Sequence, residues 1–187
     1  MSIAGVVLAG GQSSRYGQAK MFVTFEGEPL YKKSLHALRA NKLSPLIIAT
    51  NEKLRPYFLD SDVYFSLEPV AYEGPLAALH RVMTTYEADW FFVVASDMPY
   101  IQASFIKQLC SYSASDYDAI VPKQQTYIQP LAALYHRRLL SAITEALANQ
   151  RRSMQAVLEA ANVNYVPYPS DSPLFININR QQDWPKE

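Results

Sequence analysis

The sequence predicts an α/β protein, a single three-layer αβα domain built on a mostly parallel sheet. Three observations carry that expectation. Short, uncharged runs rich in β-branched residues alternate with longer stretches whose apolar residues recur at helical spacing, the pattern of strands joined by crossover helices. The 187 residues, 49% hydrophobic and 18% charged, suffice for one globular unit with a sizeable core. Glycines and polar residues gather just after the apolar runs, where an open α/β sheet holds its ligands.

Taken in order, residues 3–9 (IAGVVLA) read as a buried strand that stops at Gly10-Gly11. Residues 30–40 read as a helix with Leu30, Leu35 and Leu38 near one face. LIIAT, residues 46–50, is the next strand, and residues 63–65 form a shorter one. In 75–86, Leu76, Leu79, Met83 and Tyr86 keep helical spacing, and Pro75 suits a first helical turn. WFFVVA, residues 90–95, is the clearest buried strand. A helix is expected over 104–111, strands over 119–121 and 131–135, helices over 139–148 and 154–161, and closing strands over 163–168 and 174–178. The later strands follow one another closely, so an antiparallel member is expected among them. Ligand chemistry should then lie at 10–20, Asn51, 66–74 and 96–99, joined by 177–179 if the last strand points the same way.

Composition narrows the partners. Lys and Arg number 17, as do Asp and Glu, so the formal net charge is zero and no global basic field for a nucleic-acid backbone exists. Any polyanion site must be local. One cysteine, Cys110, rules out an internal disulfide and fits a reducing compartment. The opening MSIAGVVLAGG lacks a basic leader pattern, and no stretch approaches the roughly 18 apolar residues of a membrane span. A soluble, cytoplasmic, monomeric protein is expected.

The loop after the first strand, VVLAGGQSSRYGQAK, is the main chemical signal. It fits neither the spaced glycines of a dinucleotide fingerprint nor a Walker A loop, because Gln18, not lysine, follows Gly17. Adjacent glycines let backbone N–H groups approach a ligand closely. Arg15 can fork two phosphate oxygens and Lys20 supplies a point charge, an apt pair for a triphosphate.

LAGGQSSRYGQAK resembles the signature L-A-G-G-x-S-x-R-x-G-x-x-K of the molybdenum cofactor guanylyltransferase family, within the wider nucleotidyltransferases of the sugar-nucleotide type. Ala19 stands where many members carry an aspartate. The resemblance continues through EGEPL (26–30), EGPLAAL (73–79, with Ala78 where glycine is commoner), VVASDMPYI (93–101), QPLAALY (129–135), RRSMQAVL (151–158) and FININ (175–179). It implies a Rossmann-like nucleotide-diphospho-sugar transferase fold and transfer of GMP from GTP to molybdopterin. It also implies contact with molybdenum-insertion proteins and molybdoenzyme chaperones. Cytidylyl-transferring relatives usually read L-A-A-G, so Gly10 leans towards guanine.

On that resemblance GTP would lie with its base over Leu8, Ala9 and Gly10 and its triphosphate along Gly11 to Lys20. Arg15 and Lys20 would offset charge on the leaving pyrophosphate. Asp97, after the clearest strand, is well placed to hold Mg²⁺ against triphosphate oxygens and is expected to be the metal ligand. Pro75 begins a helix whose N-terminus would face the acceptor. Gln129 lies on the strand implied to line the acceptor side, and Arg151 or Arg152 would meet the acceptor's phosphate. Asn177 and Asn179, if in a strand, project to one face. The family's acid before G-P-L has no direct counterpart: Ser66 and Leu67 align there, and Glu68 either substitutes or the contact is absent. The base-binding asparagine aligns with Ala49, leaving Asn51 two residues on. Three alternatives stay open: a molybdopterin cytidylyltransferase, a sugar-phosphate enzyme, and a non-catalytic nucleotide-binding partner in cofactor delivery.

Overall fold

The computed structural model describes residues 1–10, 19–69 and 73–178. Ten strands and five helices are present among them: β1 (Ile3–Leu8), β2 (Thr24–Phe25), β3 (Glu28–Pro29), α1 (Leu30–Ala40), β4 (Leu46–Asn51), β5 (Tyr64–Glu68), α2 (Pro75–Thr85), β6 (Trp90–Ala95), α3 (Ala103–Cys110), β7 (Ala119–Gln124), β8 (Tyr127–Ile128), β9 (Ala132–His136), α4 (Leu140–Ala148), α5 (Met154–Leu158) and β10 (Val163–Pro167). The main sheet runs β10-β7-β9-β6-β1-β4-β5, with β8 hairpinned onto β7; β2 and β3 make a separate small ribbon. Pairings β1–β4, β4–β5, β1–β6 and β7–β10 are parallel. The expected antiparallel member is β9, reversed against both β6 and β7.

The central strands are apolar without interruption because both sheet faces are covered. Val7, Ile48, Phe92 and Val94 pack with Leu35 and Leu38 of α1 and Phe105, Ile106 and Leu109 of α3. Val6, Ile47, Phe91 and Val93 pack on the other face with Leu76, Leu79 and Val82 of α2, Ile143 of α4 and Val157 of α5. The alternation of 6 with 7 and of 91 and 93 with 92 and 94 is the strand period of two. The result is the three-layer α/β arrangement. No helix among the described residues is long and apolar enough to cross a membrane.

Strand order fixes where ligands can bind. From β1 the chain moves outward to β4 and then β5, and α2 carries it back to β6 on the other side of β1. The order reverses between β1 and β6, whose ends lie side by side with Leu8 opposite Ala95. A crevice opens outside the carboxyl ends of strands at such a switch point.

The strand expected over 174–178 is not one. Pro173–Phe175 forms a 3-10 turn, with the Ile176 N–H donating to the Pro173 carbonyl at 3.1 Å. Phe175 and Ile178 are the buried residues and Ile176 is exposed, a spacing of three rather than two. Phe175 sits edge-on to Phe105 and Tyr168, and Ile178 is buried in a small cluster with Phe25 and Leu30. The same-face argument for Asn177 and Asn179 therefore fails for Asn177, and Asn179 lies outside the described residues. Two other bounds shift with consequence: β4 runs on through Asn51, and β5 starts at Tyr64 and runs through Glu68. Helix α5 stops at Leu158, short of the expected 161.

Candidate functional site

The end of β1 is fastened to its neighbours on both sides. The Ala9 N–H donates to the Ala49 carbonyl at 2.8 Å and the Ser96 N–H to the Leu8 carbonyl at 3.0 Å. The Thr50 hydroxyl donates to the Ala9 carbonyl at 2.9 Å. The Ala9 amide is thus occupied within the sheet, so Leu8 and Ala9 form a fixed floor rather than a mobile loop. Ser34 of α1 ties down β6 in the same way, its hydroxyl donating to the Ala95 carbonyl at 2.9 Å.

Glu68 is only 7% exposed and ends β5, where it pairs in register with Asn51, also 7% exposed. Its carboxylate lies against the Gly10 α-carbon: a β-carbon on Gly10 would stand 3.0 Å from Glu68 Oε1 and 3.3 Å from Oε2. Only a residue without a side chain leaves that approach undisturbed. Asn51 Oδ1 accepts from the Leu54 N–H at 3.1 Å, closing the turn after β4. Gly10, Asn51 and Glu68 therefore meet at one edge, and Glu68 is carried there by the strand itself, without a loop shift. Ser66, two residues earlier on the same face, has a buried hydroxyl with no hydrogen-bond partner among the described residues.

On the β6 side of β1, Lys20 Nζ and Asp97 Oδ2 form a 2.7 Å ion pair, their side chains 16% and 20% exposed. Lys20 opens a 3-10 turn, Lys20–Phe22, anchored by buried Met21 and by Phe22, which packs on Phe58 and Tyr31. Asp97 lies just past β6, and its carbonyl accepts the Ile178 N–H at 3.1 Å. That bond brings exposed Asn177 to the same edge.

Pro75 opens α2 behind Gly74, whose φ of 94° is open to glycine and strained for other residues. Among the described residues no side chain caps this helix start. Gln129 braces a turn: its Nε2 donates to Gln124 Oε1 at 2.8 Å, and Gln124 Nε2 donates to the Pro169 carbonyl at 2.8 Å. Next to it, the Leu131 carbonyl accepts from the Ala95 N–H, so this turn sits at the candidate edge. Arg151 is instead exposed and paired with Glu159 at 2.6 Å. Of the two arginines it is Arg152 that lines a groove of about 440 Å³ along α2, with Glu73, His80 and Arg81 among its walls. Sequence spacing alone did not separate the pair, since the turn after α4 sets which one faces α2. Gly11 and Arg15 lie outside the described residues.

No histidine joins this cluster. His136 faces Trp90 at the opposite end of β6, and its imidazole is held below the usual range by burial and by Arg138. His80 Nε2 is bonded to the Thr144 hydroxyl. Partial burial against the core pushes the Cys110 thiol up to about 11, which keeps it a poor nucleophile near neutral pH. Among the described residues no group of three or more His, Cys, Asp or Glu could hold a metal ion. Asp97 is a single hard oxygen donor, which fits a Mg²⁺ that takes its other ligands from water and substrate phosphates.

Comparisons with known proteins place the chain in a family. Residues 5–164 match the MobA-like NTP transferase domain. A protein of Geobacillus sp. strain WCH70 named "probable molybdenum cofactor guanylyltransferase" is 33% identical over 188 residues, covering 97% of this chain and 96% of the relative. One of the same name from Bacillus cytotoxicus is 28% identical, covering 98% and 94%. The solved structure of molybdopterin-guanine dinucleotide biosynthesis protein A from Archaeoglobus fulgidus superposes with a TM-score of 0.76 at 25% identity, covering 96% of this chain and 94% of that one. A fastened β1 end, the buried Asn51 and Glu68 on one side of it and a cation–carboxylate pair on the other are thus set in a nucleotidyltransferase framework, and the chain belongs to the MobA-like NTP transferase family.

Proposed function

We propose that the chain transfers GMP from GTP to molybdopterin and releases pyrophosphate. The observation that carries this reading is the buried Glu68 carboxylate lying against Gly10 beside Asn51. Guanine presents adjacent donors, N1–H and the 2-amino group, which a carboxylate accepts as a pair. Cytosine offers one amino group next to an unprotonated ring nitrogen, which would face the carboxylate lone pairs and be repelled. A site with buried polar groups discriminates strongly against a base that leaves them unmatched.

The base would rest over Leu8 and Ala9 and the triphosphate would run towards Lys20, with Gly11 and Arg15 completing the loop. Lys20 would bind the phosphates and offset charge building on pyrophosphate. Asp97 would hold Mg²⁺, which when bound polarises phosphoryl oxygens. The acceptor side would be formed by the α2 start at Pro75, the Gln129 turn and Asn177, with Asn179 beyond it and, of the arginine pair, Arg152 meeting the acceptor's phosphate. A terminal phosphate is already an anion near neutral pH, so in-line attack on the α-phosphorus needs no general base. The distance of His136 from this edge and the engagement of His80 with Thr144 fit that requirement.

The test is pyrophosphate release by the purified protein with Mg²⁺ and molybdopterin, supplied separately with GTP, CTP, ATP and UTP. Release with GTP alone is expected. Release with CTP in preference to GTP refutes the guanine reading, and silence with all four in the presence of intact acceptor refutes the transfer.

A further inference from the structure

Resting on the assignment of nucleotide and metal to this edge, we propose that Lys20 occupies the metal position on Asp97 until a triphosphate draws it away, so that the divalent cation enters with the nucleotide and not ahead of it. The ammonium sits 2.7 Å from Asp97 Oδ2, and both side chains are about four-fifths buried. At that separation Lys20 takes up both the charge of the carboxylate and the side of Oδ2 open to a cation. A dication arriving there alone meets a compensated carboxylate and a neighbouring positive charge, in surroundings less polar than water.

The protein offers little to offset this. No other acid or imidazole among the described residues clusters with Asp97 into a metal site. Magnesium in such sites depends on one or two carboxylates completed by substrate phosphates. A nucleoside triphosphate changes both sides of the balance. It gives Lys20 a competing, more highly charged anion, and it supplies the oxygen ligands that Asp97 lacks.

The local build suits an exchange made by one side chain. Met21 is buried directly after Lys20, and Phe22 packs at 4.8 Å on Phe58 and at 5.9 Å on Tyr31, so the backbone is held. The Asp97 backbone is held by the Ile178 N–H. The four-carbon lysine stem is the flexible part, and turning it from carboxylate to phosphate leaves Oδ2 open to the metal. One residue then guards the metal position before binding and serves the triphosphate after it.

The experiment follows the free Mn²⁺ paramagnetic resonance signal during titration of wild type, Lys20→Met, Asp97→Asn and the double variant, without nucleotide and with GTP. Without nucleotide, Lys20→Met should bind Mn²⁺ about tenfold or more tighter than wild type, and adding Asp97→Asn should remove the gain. Lys20→Gln replaces the methionine variant if that one does not fold. Equal Mn²⁺ affinity of wild type and the Lys20 variant without nucleotide overturns the proposal. With GTP present, wild type should remove more free Mn²⁺ than the same GTP does without protein, and Asp97→Asn should abolish that excess. If Asp97→Asn leaves GTP-dependent Mn²⁺ binding intact, the fault lies instead in assigning the metal to Asp97.

Discussion

Gly10→Ala tests the contact on which the base assignment rests. The added β-carbon would stand 3.0 Å from Glu68 Oε1, 3.2 Å from Cδ and 3.3 Å from Oε2, all inside ordinary van der Waals contact. The backbone is not the obstacle, because Gly10 does not use a left-handed φ. Glu68 cannot swing into solvent without leaving its buried place beside Asn51. Overpacking of this kind costs about 1–3 kcal/mol. A displaced carboxylate should also weaken GTP binding by about tenfold, the equivalent of roughly 1.4 kcal/mol. Urea denaturation reads the first effect and calorimetric titration of GTP the second. The decisive form is a double-mutant cycle with Glu68→Ala, which removes the obstructing carboxylate. The alanine should then be nearly neutral for stability, giving a coupling energy of about 1 kcal/mol or more. Wild-type stability and GTP affinity in Gly10→Ala, or strict additivity in the cycle, would refute the reasoning.

Four further outcomes are expected. Asp97→Asn should reduce pyrophosphate release by about a thousandfold while shifting the melting temperature little, since the residue lies past the end of β6 rather than in the core; surviving turnover would remove the metal role. Lys20→Ala should weaken GTP binding more than GMP binding, and equal losses for both would sink its assignment to the distal phosphates. Gly5→Ala places a β-carbon 2.9 Å from Leu46 Cδ2 and 3.3 Å from Leu38 Cβ, between β1, β4 and α1. It should cost about 1–3 kcal/mol in urea denaturation and leave the affinity for GTP unchanged. Cys110, its thiol raised to about 11 by burial, should react slowly with Ellman's reagent at pH 8 and rapidly in urea, its native rate climbing with pH as thiolate appears; fast native labelling at pH 8 would contradict that burial.

Much of the layout was legible because burial on two faces leaves a continuous apolar run. WFFVVA is β6 to the residue, and the helix starting at Leu30 is α1 to the residue. The candidate edge followed from strand ends, and Lys20, Asp97, Gly10, Asn51 and Glu68 do lie there. What the sequence concealed depends on contacts made across the fold. The run FINI looked like a strand, but Pro173 and the spacing of Phe175 and Ile178 make it a turn that hangs its amide on Asp97. Two-residue strands such as β2, β3 and β8 have no period to read. Adjacent Arg151 and Arg152 were indistinguishable until Glu159 paired with the first. Glu68 is displaced in sequence from the position of the family's acid, yet β5 extends far enough to bring it against Gly10.

The switch point explains why these residues fall into two groups. Asn51 and Glu68 arrive on β4 and β5, which lie on one side of β1. Asp97 arrives just past the end of β6, on the other side, and meets Lys20 there. In the proposed function the first group reads the base and the second handles the triphosphate, with β1 and its glycine end as the floor between them. The parallel crossovers make this division unavoidable: the chain lays down β4 and β5 before α2 returns it to β6, so no single loop can supply both groups. β1 lies between the two sides, and Gly10 and Lys20 flank the segment that follows it. A glycine that admits Glu68 at its start and a lysine that meets Asp97 just beyond its end are what such a position requires, which is why the densest chemical signal in the sequence follows its first strand.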